Sequence, residues 1–583
     1  MSLKMENTSF CAIIFLVLSY LLFSPSLFFP SFIFDDHFHI FDNPFILKPT
    51  ISNFFLIWTE SRTPVVFNLW QIVSLLFGTD SPAPFRTLNI IVHGLNAALI
   101  FKISIFLMKE KSTQYKTIAS WATALIFLVH PIQVESIVWI SSFRGTAAAF
   151  MALLAIFYVL NANHSHSQSE NDDTLGIIPL VLFIFGLLIK PTIAPIAIIL
   201  PLVDYFHHRL SFKTLIKRHT ALVLTATVIG LVFQKHLLTT DYQAITFLQK
   251  IQIMFFSFFV YIKNMILPFQ LAFSYNLTPI EILRLLSITK YQVGLIGFYV
   301  VLFSTFVFLI RKSTNTRLIL LTSSSFFLLL LPSSGIIPFD FQNISTVANR
   351  YAYLPIAFLC LFFFAFLDEF FKFDYIKKAS IFSFVILTVL NFNQIKLWSN
   401  NESILLSGQN LKNIPIFILL PLAQAKIIEK DENGARKYSN YAFSVSPDNS
   451  VSLILRKTLL SANIQDYHNT SLMLENNPQY MSHVDLFEVG QLYERLNLYL
   501  IADRFYQRSK LNIKDPTNRL KVDERLNRKK DMHIMMSYAG MIQIYLTQGN
   551  TTKVEELVKE FKELNLSPEY HHFIDQLKTW IQY

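Results

Sequence analysis

Two adjacent carboxylates, Asp35 and Asp36, follow an apolar run of about twenty residues from Phe10 to Phe29. A run of that length is enough to span a bilayer, so the pair would lie at the mouth of a first membrane span. Ionisable residues are costly at such a boundary, and they mark a functional site by default. A carboxylate there can act as a general base on a hydroxyl group. The structural alternative is a solvated acidic loop.

Further polar residues stand at the predicted ends of several apolar runs, where a bilayer would reject them. Those predicted to bind substrate are Arg86, His93, His130, Glu135, Arg144, Lys190 and Arg350. The spacing of Glu135 and Arg144 would allow them to pair across a tight turn, and Arg86 could snorkel at a span end. The set as a whole predicts a cavity with two acids, two imidazoles and several fixed cations.

Cations at membrane depth suit a lipid-linked phosphate, which Arg and Lys bind through charge-assisted hydrogen bonds. Cations also stabilise the charge that a leaving phosphate gains. The sequence contains no Walker loop, GxSxG elbow or HExxH motif, so nucleotide hydrolysis, serine hydrolysis and zincin proteolysis lack support. No metal site is assigned, and a divalent cation stays an open alternative as cofactor.

The composition indicates a multi-pass membrane protein. Of its 583 residues, 53% are hydrophobic and 15% are charged, and the mean hydropathy is +0.43, whereas soluble proteins are about 25% charged. The formal charge of +10 comes from short basic loops between apolar runs, which fits membrane topology better than nucleic-acid binding. Cys11 and Cys360 both lie in apolar runs, which excludes a disulfide framework and a cysteine-based metal site.

Eleven apolar stretches predict transmembrane helices and therefore an all-α fold. They are 10–29, 85–108, 117–130, 136–160, 175–189, 192–206, 219–235, 291–310, 318–331, 352–367 and 379–395. The segment 247–267 is also apolar, but Lys250 and Lys263 favour an interfacial or re-entrant helix there. We assign residues 1–398 to this membrane domain.

The orientation follows from the basic loops. Clusters of Lys and Arg fall at 102–116, 209–218, 311–317 and 372–378. All four lie on one side if the N-terminus is on that side, and the positive-inside rule makes that side cytoplasmic. The loop with Asp35 and Asp36 then faces outward.

After Trp398 the chain becomes polar with a helical period, and residues 399–583 predict a separate helical domain on the non-cytoplasmic side. Small residues recur there at tetratricopeptide (TPR) spacing, in which two antiparallel helices pack closely and a proline closes the second. The positions are Ala435, Ala442 and Pro447, then Gly490, Tyr493, Ala502 and Tyr506, with a further hairpin suggested by Tyr545 and Gly549. We expect a TPR-like α-solenoid that presents a concave face to proteins.

Several motifs, taken in order, resemble the transmembrane and TPR-containing (TMTC) O-mannosyltransferases and their bacterial relatives. They are Phe34-Asp35-Asp36-x-x-x-Ile40-x-x-Asn43-Pro44, Phe85-Arg86-Thr87-Leu88-Asn89-x-x-x-His93-x-x-Asn96, His130-Pro131-x-x-x-Glu135-Ser136 with Arg144, Leu188-Ile189-Lys190-Pro191 with Leu202-Val203-Asp204-Tyr205, Val347-Ala348-Asn349-Arg350-Tyr351-Ala352-Tyr353-Leu354-Pro355, and Gln394-x-x-x-Trp398. Asn349 and Thr192 depart from the acids that relatives tend to carry.

The resemblance implies a GT-C glycosyltransferase fold in the bacterial cytoplasmic membrane, with the active site on the periplasmic side. It implies a polyprenyl-phosphate sugar as donor, hydroxyls of exported proteins as acceptors, inversion at the sugar carbon, and Asp35 or Asp36 as catalytic base. The TPR-like domain would hold the acceptor protein. Two alternatives stay open, namely transfer to a lipid or cell-surface glycan, and a non-catalytic membrane-anchored scaffold.

Overall fold

The structure is a computed structural model that describes residues 8–411 apart from 33, 42, 62, 163–175 and 235–244. In the C-terminal part it describes 414–445, 490, 499–511, 535, 537–546 and 548–564. Every regular element within these residues is a helix and none is a strand, which confirms the predicted all-α class. The chain divides into two compact units, Met1–Asn413 and Ile414–Tyr583.

The helices of the first unit begin with a long N-terminal helix, and several short turns separate those that follow. They are α1 (Thr8–Phe23), α2 (Pro44–Leu47), α3 (Ile51–Glu60), α4 (Pro64–Phe77), α5 (Ala83–Leu107), α6 (Thr113–Val129), α7 (Val134–Val138), α8 (Phe143–Ala162), α9 (Ile177–Ile189), α10 (Ile196–Val203), α11 (Phe212–Gln234), α12 (Phe247–Ile266), α13 (Pro279–Leu286), α14 (Thr289–Lys312), α15 (Thr316–Leu330), α16 (Pro355–Phe370), α17 (Phe373–Leu397) and α18 (Asn401–Leu406).

Local sequence explains where many of these helices begin. The side chains of Thr50, Ser112, Thr246 and Thr278 each accept a hydrogen bond from a main-chain N–H in the first turn of α3, α6, α12 and α13. Such caps satisfy donors that have no partner inside the helix. Proline stands in the first turn of α4, α5, α13 and α16, where its missing N–H costs nothing.

Six helical segments of the described chain are long and apolar enough to cross a membrane, and a seventh would be the bent pair formed by α6 and Pro131–Val138. The six are Phe10–Phe28, Ala83–Leu107, Ile140–Asn161, Thr289–Lys312, Thr316–Ser333 and Phe373–Leu397. Each of the eleven predicted stretches contains a helix. Helices α9 and α10 are short because Pro191 and Pro195 interrupt that run, so the count of eleven spans stays a prediction.

Helix α5 is central to the first unit and packs against α1, α6 and α8. Gly94 allows the close approach of α1, because a Cβ at this position would lie 2.9 Å from the Cα of Leu16. Arg86 lies near the start of α5 and Leu107 is its last residue. The helix therefore connects the two ends of the bundle.

Helix α12, which covers the predicted interfacial segment, is not among the candidate spans of the described chain. Ile253 near its start contacts Gly335, which follows α15. Met265 near its end accepts a hydrogen bond at its carbonyl from His130, which follows α6. Both contacts lie at the end of the bundle that carries Asp35, which supports a helix that stays at one end.

The first unit extends beyond the predicted boundary at 398, to Asn413. Polar side chains hold this extension on the segment after α12: Asn276 Nδ2 donates to Gln409 Oε1 at 2.8 Å, and Gln409 Nε2 donates to the Ser274 carbonyl at 3.1 Å. The polar composition after Trp398 thus serves packing within the first unit before the second begins.

The second unit contains α19 (Ile416–Ile428), α20 (Glu432–Val445), α21 (Tyr499–Leu511) and α22 (Thr551–Lys562). The Tyr441 hydroxyl at the end of α20 hydrogen-bonds the Ile414 N–H just before α19, so the two helices form an antiparallel hairpin. Ala435 and Ala442 are both buried, as their spacing predicts. Pro447 and Tyr493 lie outside the described residues, and a stack of repeats stays a prediction.

Close packing in this unit centres on the ring of Tyr506. A Cβ at Gly490 would lie 2.5 Å from one side of the ring, and a Cβ at Gly540 would lie 2.6 Å from the other. The absence of a side chain at both glycines therefore leaves room for the Tyr506 ring between them.

Candidate active site

Two prolines end helices at the points where predicted site residues stand. Proline disfavours the helical conformation in the residue before it, and both His130 and Lys190 have extended backbones before Pro131 and Pro191. His130 and Lys190 therefore lie at helix ends, where their side chains can turn toward the first loop.

The two adjacent acids have different surroundings. Asp36 is fully buried, and both of its carboxylate oxygens accept main-chain hydrogen bonds. The Phe32 N–H donates to Oδ2 at 2.9 Å and the Ser141 N–H donates to Oδ1 at 2.8 Å. Burial raises the pKa of Asp36, while these hydrogen bonds and the charge of Arg86 oppose the rise. Asp36 thus fastens the first loop to the turn before α8.

Arg86 is equally buried, and its donors are taken up by main-chain carbonyls. Its Nε donates to Val138 at 2.8 Å, and its two terminal nitrogens donate to Ser26 at 2.6 Å, Phe29 at 3.0 Å and Pro30 at 3.0 Å. Three of these carbonyls lie just before the first loop. This geometry favours a role for Arg86 in holding the loop.

Asp35 keeps an accessible carboxylate, with about 29% of its side chain exposed. Its Oδ2 lies 3.6 Å from Arg144 Nη2 and 3.9 Å from His39 Nδ1. Burial raises the pKa of Asp35, and the charges of Arg144 and Arg350 partly offset this effect. Of the two adjacent acids, Asp35 is the one that can reach a substrate.

Glu135 pairs with Arg350 rather than with Arg144, the partner that spacing suggested. Arg350 Nη1 lies 2.6 Å from Glu135 Oε1, and both side chains are at least nine-tenths buried. The Arg350 guanidinium also stacks 3.9 Å from the ring centre of Phe341 and 4.7 Å from that of Tyr351. The turn after α7 directs Arg144 toward Asp35 instead.

Lys190 completes the charged cluster. Its Nζ lies 5.4 Å from the centre of the Tyr351 ring, and a Cβ on Gly145 would be 3.4 Å from it. Within the described part of the chain it forms no ion pair, and the charge of Glu135 only partly opposes the lowering of its pKa. Burial, followed by repulsion from Arg350 and Arg144, lowers the pKa of Lys190 to about 7.

The two predicted imidazoles lie nearby but are occupied by other groups. His93 Nδ1 lies 2.9 Å from the Tyr353 hydroxyl and its Nε2 lies 3.1 Å from the Leu128 carbonyl. His130 Nε2 donates to the Met265 carbonyl at 2.9 Å, and its Nδ1 accepts the Ile132 N–H at 3.1 Å. Both buried rings tie helices together.

Asn349 has a similar supporting position. Its Oδ1 accepts a hydrogen bond from the Tyr275 hydroxyl at 2.6 Å, and its Nδ2 donates to the Ala272 carbonyl at 2.9 Å. An acid at this position would lack the donor for Ala272. The asparagine that departs from the resembled motif is therefore matched to the local main chain.

Sequence reasoning missed an aromatic wall beside the charged cluster. Phe32 makes edge contacts with Trp139, Phe273 and Trp398, with ring centres 5.0–5.4 Å apart. The ring of Trp139 also lies 4.9 Å from the Arg350 guanidinium. In the sequence Trp398 marks only the predicted end of the membrane domain, and no local spacing connects it to Phe32. All four rings are buried, so this wall packs behind the charged cluster and supports it.

The cluster as a whole contains Asp35 and Glu135 against Arg144, Lys190 and Arg350. Since Arg350 is neutralised by Glu135 and Arg144 faces Asp35, Lys190 supplies the excess positive charge. Within the described residues, no group of three or more His, Cys, Asp or Glu side chains is placed to hold a metal ion. The arrangement can bind an anion beside an accessible carboxylate.

No known protein family, curated protein or solved structure matches this chain. The assignment of chemistry to the cluster therefore depends on its own geometry and on the motif resemblance.

Proposed function

We propose that this protein is an integral-membrane GT-C glycosyltransferase that moves a sugar from a polyprenyl-phosphate donor to hydroxyls of exported proteins. The observation that carries the proposal is the accessible carboxylate of Asp35 beside Arg144, with the unpaired cation of Lys190 in the same cluster. A base and an anion-binding cation are what transfer from a sugar phosphate to a hydroxyl requires.

In this mechanism Asp35 accepts the proton of the acceptor hydroxyl as that oxygen attacks the anomeric carbon of the sugar. The bond between the anomeric carbon and the phosphate oxygen breaks, and the polyprenyl phosphate leaves with the electron pair. Attack from the face opposite the phosphate inverts the configuration. Lys190 and Arg144 stabilise the charge that develops on the phosphate.

The remaining residues position this pair. Asp36 and Arg86 hold the first loop through main-chain hydrogen bonds, so that Asp35 is presented at a fixed place. Glu135 neutralises Arg350 and fixes its guanidinium among aromatic rings. The buried aromatic wall that includes Phe32 and Trp139 packs against Arg350 and keeps its guanidinium in place.

The proposal places the chain in a bacterial cytoplasmic membrane with eleven spans and with Asp35 on the periplasmic side. The four basic clusters support this orientation, because all of them then face the cytoplasm. Because helix α12 stays at one end of the bundle in this proposal, it does not reverse the side of the membrane on which the later spans begin. The second unit would be a TPR-like domain that binds the acceptor protein, supported by its hairpin and its close glycine contacts.

A transfer assay tests this function. The full-length protein in lipid nanodiscs is incubated with radiolabelled polyprenyl-phosphate hexoses and envelope proteins, and the label is measured separately in protein, lipid and glycan fractions. We expect label in protein with the native chain and with the control Asp80→Asn, which changes an exposed acid, but not with Asp35→Asn.

Label found only in the lipid or glycan fraction would overturn the protein acceptor and would favour transfer to a lipid or cell-surface glycan. Absence of transfer from every polyprenyl-phosphate hexose, in a chain shown to be folded, would favour the scaffold.

A further inference from the structure

A second polar cavity lies far from the candidate active site. It has a volume of about 250 Å³, and its walls come from the end of α5, the turns at 109–111 and 206–209, and the start of α15. Arg86 and Leu107 stand at opposite ends of α5, and a helix rises about 1.5 Å per residue, so these two residues lie about 32 Å apart along the helix. The cavity is therefore at the other end of the bundle.

The cavity has an excess of positive charge. Lys109, Lys111, Arg209 and Arg317 line it together with a single acid, Glu110. Lys111 is neutralised by Asp368 at 2.5 Å and Glu369 at 3.7 Å, and Arg209 lies 3.2 Å from Glu110. Within the described part of the chain, Lys109 and Arg317 have no acidic partner.

Ionic anchors fix two walls of this cavity. Buried Asp204 lies 2.9 Å from Arg218 Nε and 2.8 Å from His219 Nε2, which holds the turn after α10 against α11. Glu369 Oε1 accepts hydrogen bonds from the Thr314 N–H at 3.1 Å and Asn315 Nδ2 at 2.8 Å, which holds the turn before α15. The cavity is thus largely formed before any ligand arrives.

The lining is amphipathic. Apolar side chains also line the cavity, namely Leu107 and Met108 at the end of α5, Phe206 in the turn after α10, and Leu318 and Leu321 near the start of α15. A soluble anion needs only the cations, whereas a phospholipid needs cations for its phosphate and an apolar wall for its glycerol and first methylenes. A cavity of this size suits a headgroup rather than a whole lipid.

We propose that this cavity binds the phosphate headgroup of an anionic membrane lipid, with Lys109 and Arg317 as its main ligands. Basic pockets between membrane helices on the cytoplasmic side are suited to such headgroups. The site is separate from the transferase cluster and would anchor α5, α15 and the turn after α10 at the membrane boundary.

Calorimetric titration tests this site. The full-length protein in neutral detergent at physiological ionic strength is titrated with monomeric dihexanoylphosphatidylglycerol, with dihexanoylphosphatidylcholine and with inorganic phosphate. We expect one site per chain for phosphatidylglycerol and much weaker binding of the other two. The variant with both Lys109→Gln and Arg317→Gln should bind about 30-fold more weakly, which corresponds to about 1 kcal/mol for each cation.

The matched control removes two exposed cations, Lys377→Gln and Lys378→Gln, that do not line the cavity. It should retain nearly native affinity, because neither side chain lines the cavity and salt weakens the effect of exposed charges. Thermal unfolding of each lipid-free variant establishes that it is folded.

Absence of phosphatidylglycerol binding by the native chain, or equal affinity in the Lys109 and Arg317 variant, would overturn the site. Equal affinity for inorganic phosphate would overturn the lipid assignment.

Discussion

The ionisation of Lys190 gives a prediction that separates anion binding from a structural role. Its pKa of about 7 arises from burial and from repulsion by Arg350 and Arg144. If the protonated amine binds the donor phosphate, kcat/KM for the donor follows the protonated fraction of the free enzyme. That fraction is one half at pH 7 and about one hundredth at pH 9, so kcat/KM should fall about 50-fold between them.

Lys190→Arg tests the cause of this fall. Arginine stays protonated throughout this range, so the variant should lose the alkaline decline even if its maximal rate is lower. Lys190→Gln should be slow at every pH and should also lack the decline. Lys372→Arg, at an exposed position, serves as the control and should keep it. The measurement is initial rate against donor concentration from pH 6 to 10. An unchanged alkaline decline in Lys190→Arg would refute the reasoning.

Three further predictions follow from the contacts. Arg86→Gln should lower the free energy of unfolding by about 3–5 kcal/mol, because it leaves buried carbonyls and a buried acid without their cation; thermal unfolding that stays near native would contradict this. Glu135→Gln and Arg350→Gln should each destabilise the fold, with a coupling energy of about 2–3 kcal/mol in a double-mutant cycle; additive effects would show that the pair does not interact. The topology is tested with single cysteines placed at Ser31 or at Ser567, which lies outside the described residues, in a cysteine-free background. Both should react with a membrane-impermeant reagent added from the outer side. Labelling of only one of them would overturn the topology.

The sequence predicted which residues gather at the charged cluster more successfully than it predicted their partners. Proline in His130-Pro131 and Lys190-Pro191 is a local signal, and it predicts where helices end without knowledge of the fold. Hydropathy likewise indicated long helices such as α5 and α14. These features depend on neighbouring residues, so a single sequence contains them.

Partner choice depends on contacts between distant segments, which spacing does not encode. The nine-residue separation of Glu135 and Arg144 suggested a pair, but Arg350, 215 residues away, takes Glu135. Trp398 joins Phe32 in the aromatic wall for the same reason. The two adjacent acids looked equivalent in sequence, and only the orientation of the first loop distinguishes Asp36 from Asp35.

Single-turnover transfer by Asp35→Asn and Asp36→Asn, measured together with donor binding and thermal unfolding, tests the central claim most directly. Asp35→Asn should remain as stable as the native chain and still bind donor, while its transfer rate falls by about 10²–10⁴-fold, the range for loss of a general base. Asp36→Asn should unfold at a lower temperature, because an amide replaces one of the two buried oxygens that accept main-chain hydrogen bonds. Near-native transfer by Asp35→Asn would contradict the assignment of Asp35 as the catalytic base.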